Sequence, residues 1–405
     1  MADQKPVKRA ITLGGGGPAA GLHIGVLDAL QAAGITFDVW ALSCIGAWVG
    51  IVYNQCDSGK EVEQTYQFFR DNIFREDESY KRFPINSVFG TDWRSNTKAL
   101  KKFVTDPDNY GDFVWDPYSM LDSVQESMSF FFDHMPSRNK KFRKFDEGDI
   151  NNWILNQVMA PNPFVRYFTS MMYLSHITGL SRINYPNSDF MKAIKFERLM
   201  EKKDTFIFHN AWNLDQKKLA LFSNHPMRKT NDEYVGPINA STLCACSALP
   251  FVEQTVEMGG VTYCEGALVD TVNFESLIEE HGDDLDEIWV SRIVDTKQIR
   301  KPENLHDALA NLCQLFAATV GEDDVKLFKY HVRFDKPKSG KAPWKGTVVE
   351  IHVPAHIDFK WNHENLDKGR KLGRAAAETA IAVHKSAGKN TTGKVRFLNE
   401  NPKGN

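Results

Sequence analysis

The chain opens on a compact alternation of apolar and turn-forming segments. Ala10–Leu13 is a short apolar run, entered from Lys8 and Arg9 and left through Gly14, Gly15, Gly16 and Gly17. A buried strand ending in a tight turn has this pattern. From Ala19 to Ala33 the apolar residues Leu22, Val26, Leu27 and Leu30 recur at helical spacing, and Gly34 marks the stop. Phe37–Leu42 predicts a second strand and Ile45–Tyr53 a buried helix. Strand, glycine-rich turn, helix, strand, turn, helix is the order of a parallel sheet with right-handed crossovers.

Residues 76–199 differ. They are dense in Phe, Tyr, Met, Arg and Lys, show no β alternation, and predict helices over Ser119–Phe131 and Phe164–Leu180. A mostly helical insertion is expected there, with residues 1–75 and 200–388 forming the α/β core. Strand patterns return at Thr205–Phe208, Leu219–Phe222, Val261–Tyr263, Glu287–Val294 and Thr347–Val353. Asp335–Gly346 reads as an exposed loop and Leu366–His384 as an Ala-rich helix. The polar residues 389–405 are expected to form a flexible tail.

Composition narrows the class. Apolar residues at 42% and charged residues at 25% fit a soluble globular protein. A net charge of −3 supplies no global polycation, so nucleic acid is not an expected partner. No signal-peptide pattern precedes the first strand, and no long uncharged apolar run appears, so a cytoplasmic location is expected. The six cysteines are scattered, which argues against a disulfide framework. Cys244, Cys246 and Cys264 offer three thiolates but no second close pair. They read as buried free thiols, and neither a metal nor a cofactor is expected.

Two turns carry candidate chemistry. Glycines at Gly14–Gly17 let backbone N–H groups approach a ligand, and the following helix N-terminus adds positive potential; such a turn can hold a phosphate or a developing oxyanion. As a phosphate loop it fails, because no G-x-x-x-x-G-K-[ST] is present. The second turn, Leu42-Ser43-Cys44-Ile45-Gly46-Ala47-Trp48, also joins a strand to a helix. A nucleophile elbow needs a reactive side chain at the corner and small residues two positions to either side. Cys44 has Gly46 at +2 but Leu42 at −2; Ser43 fits less well, with Ile45 at +2. Taken alone, Cys44 reads as a buried structural thiol.

In combination the blocks resemble the patatin-like phospholipase family. The glycine-rich turn is followed by His23-Ile24-Gly25-Val26-Leu27, then by the elbow ending Gly46-Ala47-Trp48. Cys246-Ser247-Ala248-Leu249-Pro250-Phe251 resembles the family's Ser-Ala-x-Pro segment. A hairpin then leads to Glu265-Gly266-Ala267, where the family has Asp-Gly-Gly or Asp-Gly-Ala. The resemblance implies a three-layer α/β/α core and a lipid acyl hydrolase or acyltransferase. Its nucleophile would be Cys44 in place of serine, its base Glu265 in place of aspartate, and its oxyanion hole the amides of Gly15, Gly16, Gly17 and Ile45. A lipid ester or an acyl thioester is the implied substrate. The family's Arg-Gly after the glycines reads Ala19-Ala20 here. The competing reading is a non-catalytic lipid-binding or scaffold protein that kept the fold. His23 reads as a packed helix residue beneath the turn, and Asp270 and Asn273 as supports of the loop after Glu265.

Within the insertion, Phe164, Phe168, Met171, Leu174 and Ile177 form an apolar stripe that fits core packing or a lid or wall for an acyl chain. Ser137–Phe145 interleaves five basic residues with Phe142 and Phe145. It fits a solvated loop or a peripheral contact with an anionic membrane or granule surface.

Overall fold

The structure is a computed structural model. It describes residues 6–82, 89–91, 178–183, 188–229, 232–334, 344–353 and 355–400, with scattered positions between 97 and 154. The chain divides into two compact units, residues 1–90 with 181–405, and residues 91–180. The apolar stripe and the basic segment of the insertion lie outside the described residues, as does Ser119–Phe131 apart from Gln125, Met128 and Ser129, which are helical. The helix expected to run to Leu180 does not reach it, because Gly179–Ile183 is a strand.

Ten strands form one sheet among the described residues of the first unit. They are β1 (Arg9–Leu13), β2 (Val39–Leu42), β3 (Phe206–Asn213), β4 (Lys218–Ser223), β5 (Tyr234–Pro237), β6 (Val256–Met258), β7 (Val261–Glu265), β8 (Glu287–Arg292), β9 (Thr347–His352) and β10 (Arg396–Leu398). Their order is β10-β9-β8-β1-β2-β3-β7-β6, with β4 on β3 and β5 on β4. From β10 through β2 to β3 all pairings are parallel. β4, β6 and β7 add antiparallel pairings at the far side. The principal helices are α1 (Ala20–Ala32), α2 (Ile45–Gln55), α3 (Glu61–Asn72), α4 (Ala240–Cys246), α5 (Phe274–His281), α6 (Leu305–Phe334) and α7 (His363–Ala387).

Alternation along the strands builds the three layers. Ile11, Trp40, Trp289 and Val349 pack into one core with α1 and α2. Ala10, Val39, Ile288 and Val348, one residue earlier in each strand, pack into a second core with α5. A period of two sends neighbours to opposite faces, so each parallel strand is apolar on both sides.

α1 and α7 approach unusually closely. Gly21 and Gly25 of α1 face Gly369 and Gly373 of α7, and a Cβ at Gly25 would lie 2.0 Å from the Arg370 carbonyl oxygen. Arg374 then closes the edge of this contact on Asp28 at 2.9 Å. The backbone cannot give way without separating the helices. Gly25→Ala is therefore expected to cost about 3 kcal/mol or more, read as a lowered denaturant midpoint at unchanged slope.

The tail departs from expectation. Arg396–Leu398 adds a parallel edge strand to β9, and the Arg396 guanidinium donates to the Gly388 carbonyl at 2.6 Å. Backbone pairing orders this stretch despite its polar composition, and only 401–405 lie outside the described residues.

Candidate active site

The geometry begins with β3. Its eight residues are long enough for one edge to accept two strands end to end. β2 occupies Phe206–His209, with Leu42 opposite His209. β7 runs in from the other direction over Ala211–Asn213, with Glu265 opposite Ala211. The last residue of β2 and the last residue of β7 thus stand two positions apart on a shared neighbour, roughly 7 Å at strand spacing. The chain turns out of the sheet between them.

That turn is strained. Cys44 adopts φ 48° and ψ −126°, a left-handed value that a non-glycine residue occupies only when its surroundings enforce it. The Ser43 amide is held by the Leu13 carbonyl at 3.0 Å, and α2 starts immediately at Ile45. Gly46 permits this descent, since a Cβ there would lie 2.1 Å from the Leu13 oxygen. Leu42, the misfit at −2, is accommodated from within α2. A Cβ at Gly50 would lie 2.6 Å from its Cδ2, so the missing side chain at Gly50 makes the space.

The Cys44 thiol and the Glu265 carboxyl face each other closely enough that each shifts the other's proton affinity. Cys44 is half-buried and Glu265 only 5% exposed. Burial pushes the Glu265 pKa up to about 7, and the adjacent thiol partly offsets this. Burial and then the adjacent Glu265 charge push the Cys44 thiol well up, while the Ile45 amide, donating toward the sulfur, pulls the other way. The resting pair is a neutral thiol beside a carboxyl poised near neutrality. The second oxygen, Glu265 Oε2, is buried without a hydrogen-bond partner among the described residues.

The glycine-rich turn closes the other side. A Cβ at Gly15 would stand 3.3 Å from the Cβ atoms of Cys44 and Ala267 and 3.7 Å from Glu265 Oε1, so a larger residue there would press on both members of the pair. Gly14 is tied back, its amide bonded to the Ser291 carbonyl at 3.3 Å. Gly16 and Gly17 border other groups: Gly16 abuts Ile293 and Val294, and Gly17, at φ 53°, lies under the Phe359 ring. His23 is buried beneath the turn, bonded to the Ser291 hydroxyl and the Gly14 carbonyl at 2.9 Å each. Burial lowers its pKa to about 4 and keeps it neutral.

A polar network fixes the loop after Glu265 to the elbow. Asn273, at φ 59°, donates to the Ser43 hydroxyl at 2.8 Å. Asn210 donates to Asn273 Oδ1 at 2.9 Å and to the Asp270 carbonyl at 2.6 Å. The Asp270 carboxyl takes the Asn273 amide at 2.6 Å, and Asp324 of α6 takes the Thr271 amide at 2.8 Å. Burial raises the pKa of both carboxyls, and the charge of Asp270 raises Asp324 further. The expected support from Asp270 and Asn273 is therefore present. Asn210 and Asp324 were not legible in the sequence, being contributed by elements distant along the chain. Cys246 was missed as a neighbour of the elbow: its sulfur accepts the Cys44 amide at 3.1 Å. Cys244, Cys246 and Cys264 are buried free thiols.

A family model for patatin-like phospholipase matches residues 11–278, well over half of the chain. The chain belongs to the patatin-like phospholipase family. That family comprises lipid acyl hydrolases, and the elbow, the glycine-rich turn and Glu265 all fall inside the matched patatin-like region. Among solved structures the chain is similar to VipD from Legionella pneumophila, at 13% identity over 94% of this chain and 67% of that one, with a TM-score of 0.40. No curated protein matches it. Among the described residues of this patatin-like chain, no helix is long and apolar enough to cross a membrane.

Proposed function

We propose that this chain is a lipid acyl hydrolase working through a cysteine–glutamate pair. The observation that carries the reading is the juxtaposition of the Cys44 thiol, at a strained strand–helix corner, with the buried Glu265 carboxyl, both standing against Gly15. Above about pH 7 Glu265 is ionised and can accept the thiol proton as sulfur attacks the ester carbonyl. Carbon–sulfur bond formation places negative charge on the carbonyl oxygen. The amides of Ile45 and of Gly15, Gly16 and Gly17 are the proposed donors to it, with Gly15 nearest the pair. Collapse expels the alcohol, which takes the proton back from Glu265 and leaves an acyl thioester on Cys44. Water, activated by the same carboxylate, then releases the acid. A thioester is a more activated acyl group than an oxygen ester, so transfer to another alcohol, amine or thiol is open at the same step.

Incubating the chain with p-nitrophenyl esters of graded chain length and following intact mass tests this reading. A single acyl adduct mapping to Cys44 and decaying with turnover is the expected result. Ester cleavage without any adduct at Cys44 would overturn it.

A further inference from the structure

The sulfur that accepts the Cys44 amide belongs to a second thiol, and the mechanism has no use for it. Cys246 ends α4, is fully buried, and places Sγ 3.1 Å from the Cys44 backbone nitrogen. Cys44 itself is half-buried. Two cysteines can be bridged without backbone movement when their Cα atoms lie within about 7 Å and their side chains face each other. Here the Cys246 sulfur already sits against the Cys44 backbone, so side-chain rotation inside the elbow is the movement that would close the bond.

We propose that Cys44 and Cys246 form an oxidant-sensitive dithiol that closes to a disulfide. Hydrogen peroxide is the oxidant. The Cys44 sulfur attacks one peroxide oxygen and the O–O bond breaks. The thiol proton passes through Glu265 to the departing hydroxide, leaving a sulfenic acid on Cys44 and one water. The Cys246 sulfur then attacks the Cys44 sulfur, the S–O bond breaks, and hydroxide leaves with the Cys246 proton as a second water. Two thiols lose two electrons and peroxide gains them.

Two other thiols compete, and the geometry ranks them lower. Cys264 precedes Glu265 on β7, and adjacent strand residues point to opposite faces. Cys313 of α6 senses the Glu265 charge and is half-buried, but no contact with Cys44 accompanies it among the described residues. The bond would remove the candidate nucleophile and shield it from further oxidation to the irreversible sulfinic acid. The loss of activity rests on the role proposed for Cys44; the bond does not.

Peroxide titration of the full chain, followed by intact mass and non-reducing peptide mapping, tests the pair. The expected product is lighter by two hydrogens, carries a Cys44–Cys246 cross-link, and regains both free thiols and activity with dithiothreitol. Cys246→Ser, with Cys246→Ala as a second variant in case the hydroxyl disturbs folding, is expected to accumulate sulfinic acid at Cys44 that dithiothreitol does not reverse. Mapping of the native chain reads the bond whatever the variants do. A cross-link from Cys44 to Cys313 or Cys264, sulfinic acid on Cys44 beside a reduced Cys246, or two thiols untouched by peroxide each overturns the proposal. A cross-link without loss of esterase activity would leave the dithiol standing and sink the catalytic role of Cys44 instead.

Discussion

Cys44→Ala is expected to lower ester turnover at least about a thousandfold while leaving the fold intact. The size follows from what is removed. The proposed route runs through a covalent acyl-enzyme, and the neighbouring groups are engaged elsewhere: the fully buried Cys246 sulfur accepts the backbone amide of residue 44. Ser43 is its neighbour in sequence but is buried and bonded to Asn273. Residual activity would come from the amides and the binding surface alone. Alanine tolerates the φ 48° backbone no worse than cysteine does, so folding should survive. Steady-state kinetics on a short activated ester, with circular dichroism as the folding control, provides the measurement. A variant retaining more than about a tenth of the native rate would end the covalent reading.

The second large effect is expected at Glu265. Glu265→Gln keeps the shape of the side chain beside Cys44 but cannot accept a proton, and a rate loss of about 10²–10⁴-fold follows from removing a general base. The native chain should show kcat/KM rising about tenfold per pH unit up to about pH 7 and levelling above it, because the base is the ionised carboxyl. Stability should move in the opposite direction. Burial raises this carboxyl from 4.5 to about 7, so the native state holds a proton that the unfolded chain has released across that window. Unfolding free energy then falls as pH rises from 4.5 to 7. Glu265→Gln has no such group. It should match the native chain near pH 4 and exceed it at pH 8 by up to about 3 kcal/mol. Thermal melts at the two pH values check this. A flat pH–rate profile between 5 and 8 would remove Glu265 as the base.

What the sequence reveals here depends on the range over which each feature is encoded. The β1–α1–β2–α2 order is local: apolar periodicity and the glycine run mark it, and the strands and helices fall within a few residues of the pattern. The pairing of Cys44 with Glu265 is not local. It depends on β3 being long enough to receive β2 and β7 on one edge, and neither register nor strand length can be read from the residues of β7 itself. Family resemblance named both residues, but did not mark Cys246 as a neighbour of the elbow, nor Asn210 and Asp324 as holding the loop after Glu265 from two other elements. α6 was not marked either. Leu309, Leu312, Leu315 and Phe316 lie on its exposed side, so its apolar positions do not trace a core-facing stripe. The edge strand Arg396–Leu398 is three residues long and held by backbone pairing, too short to leave a pattern.

The fit of Leu42 against Gly50 links two positions that are otherwise read separately. Restoring glycine at 42 alone would open a void beneath the corner, and filling position 50 alone would collide with the leucine, so the two sites must vary together. Relatives that share this corner should therefore be recognisable by a leucine two places before the thiol and a glycine six places after it. A signature demanding glycine on both flanks would pass over them.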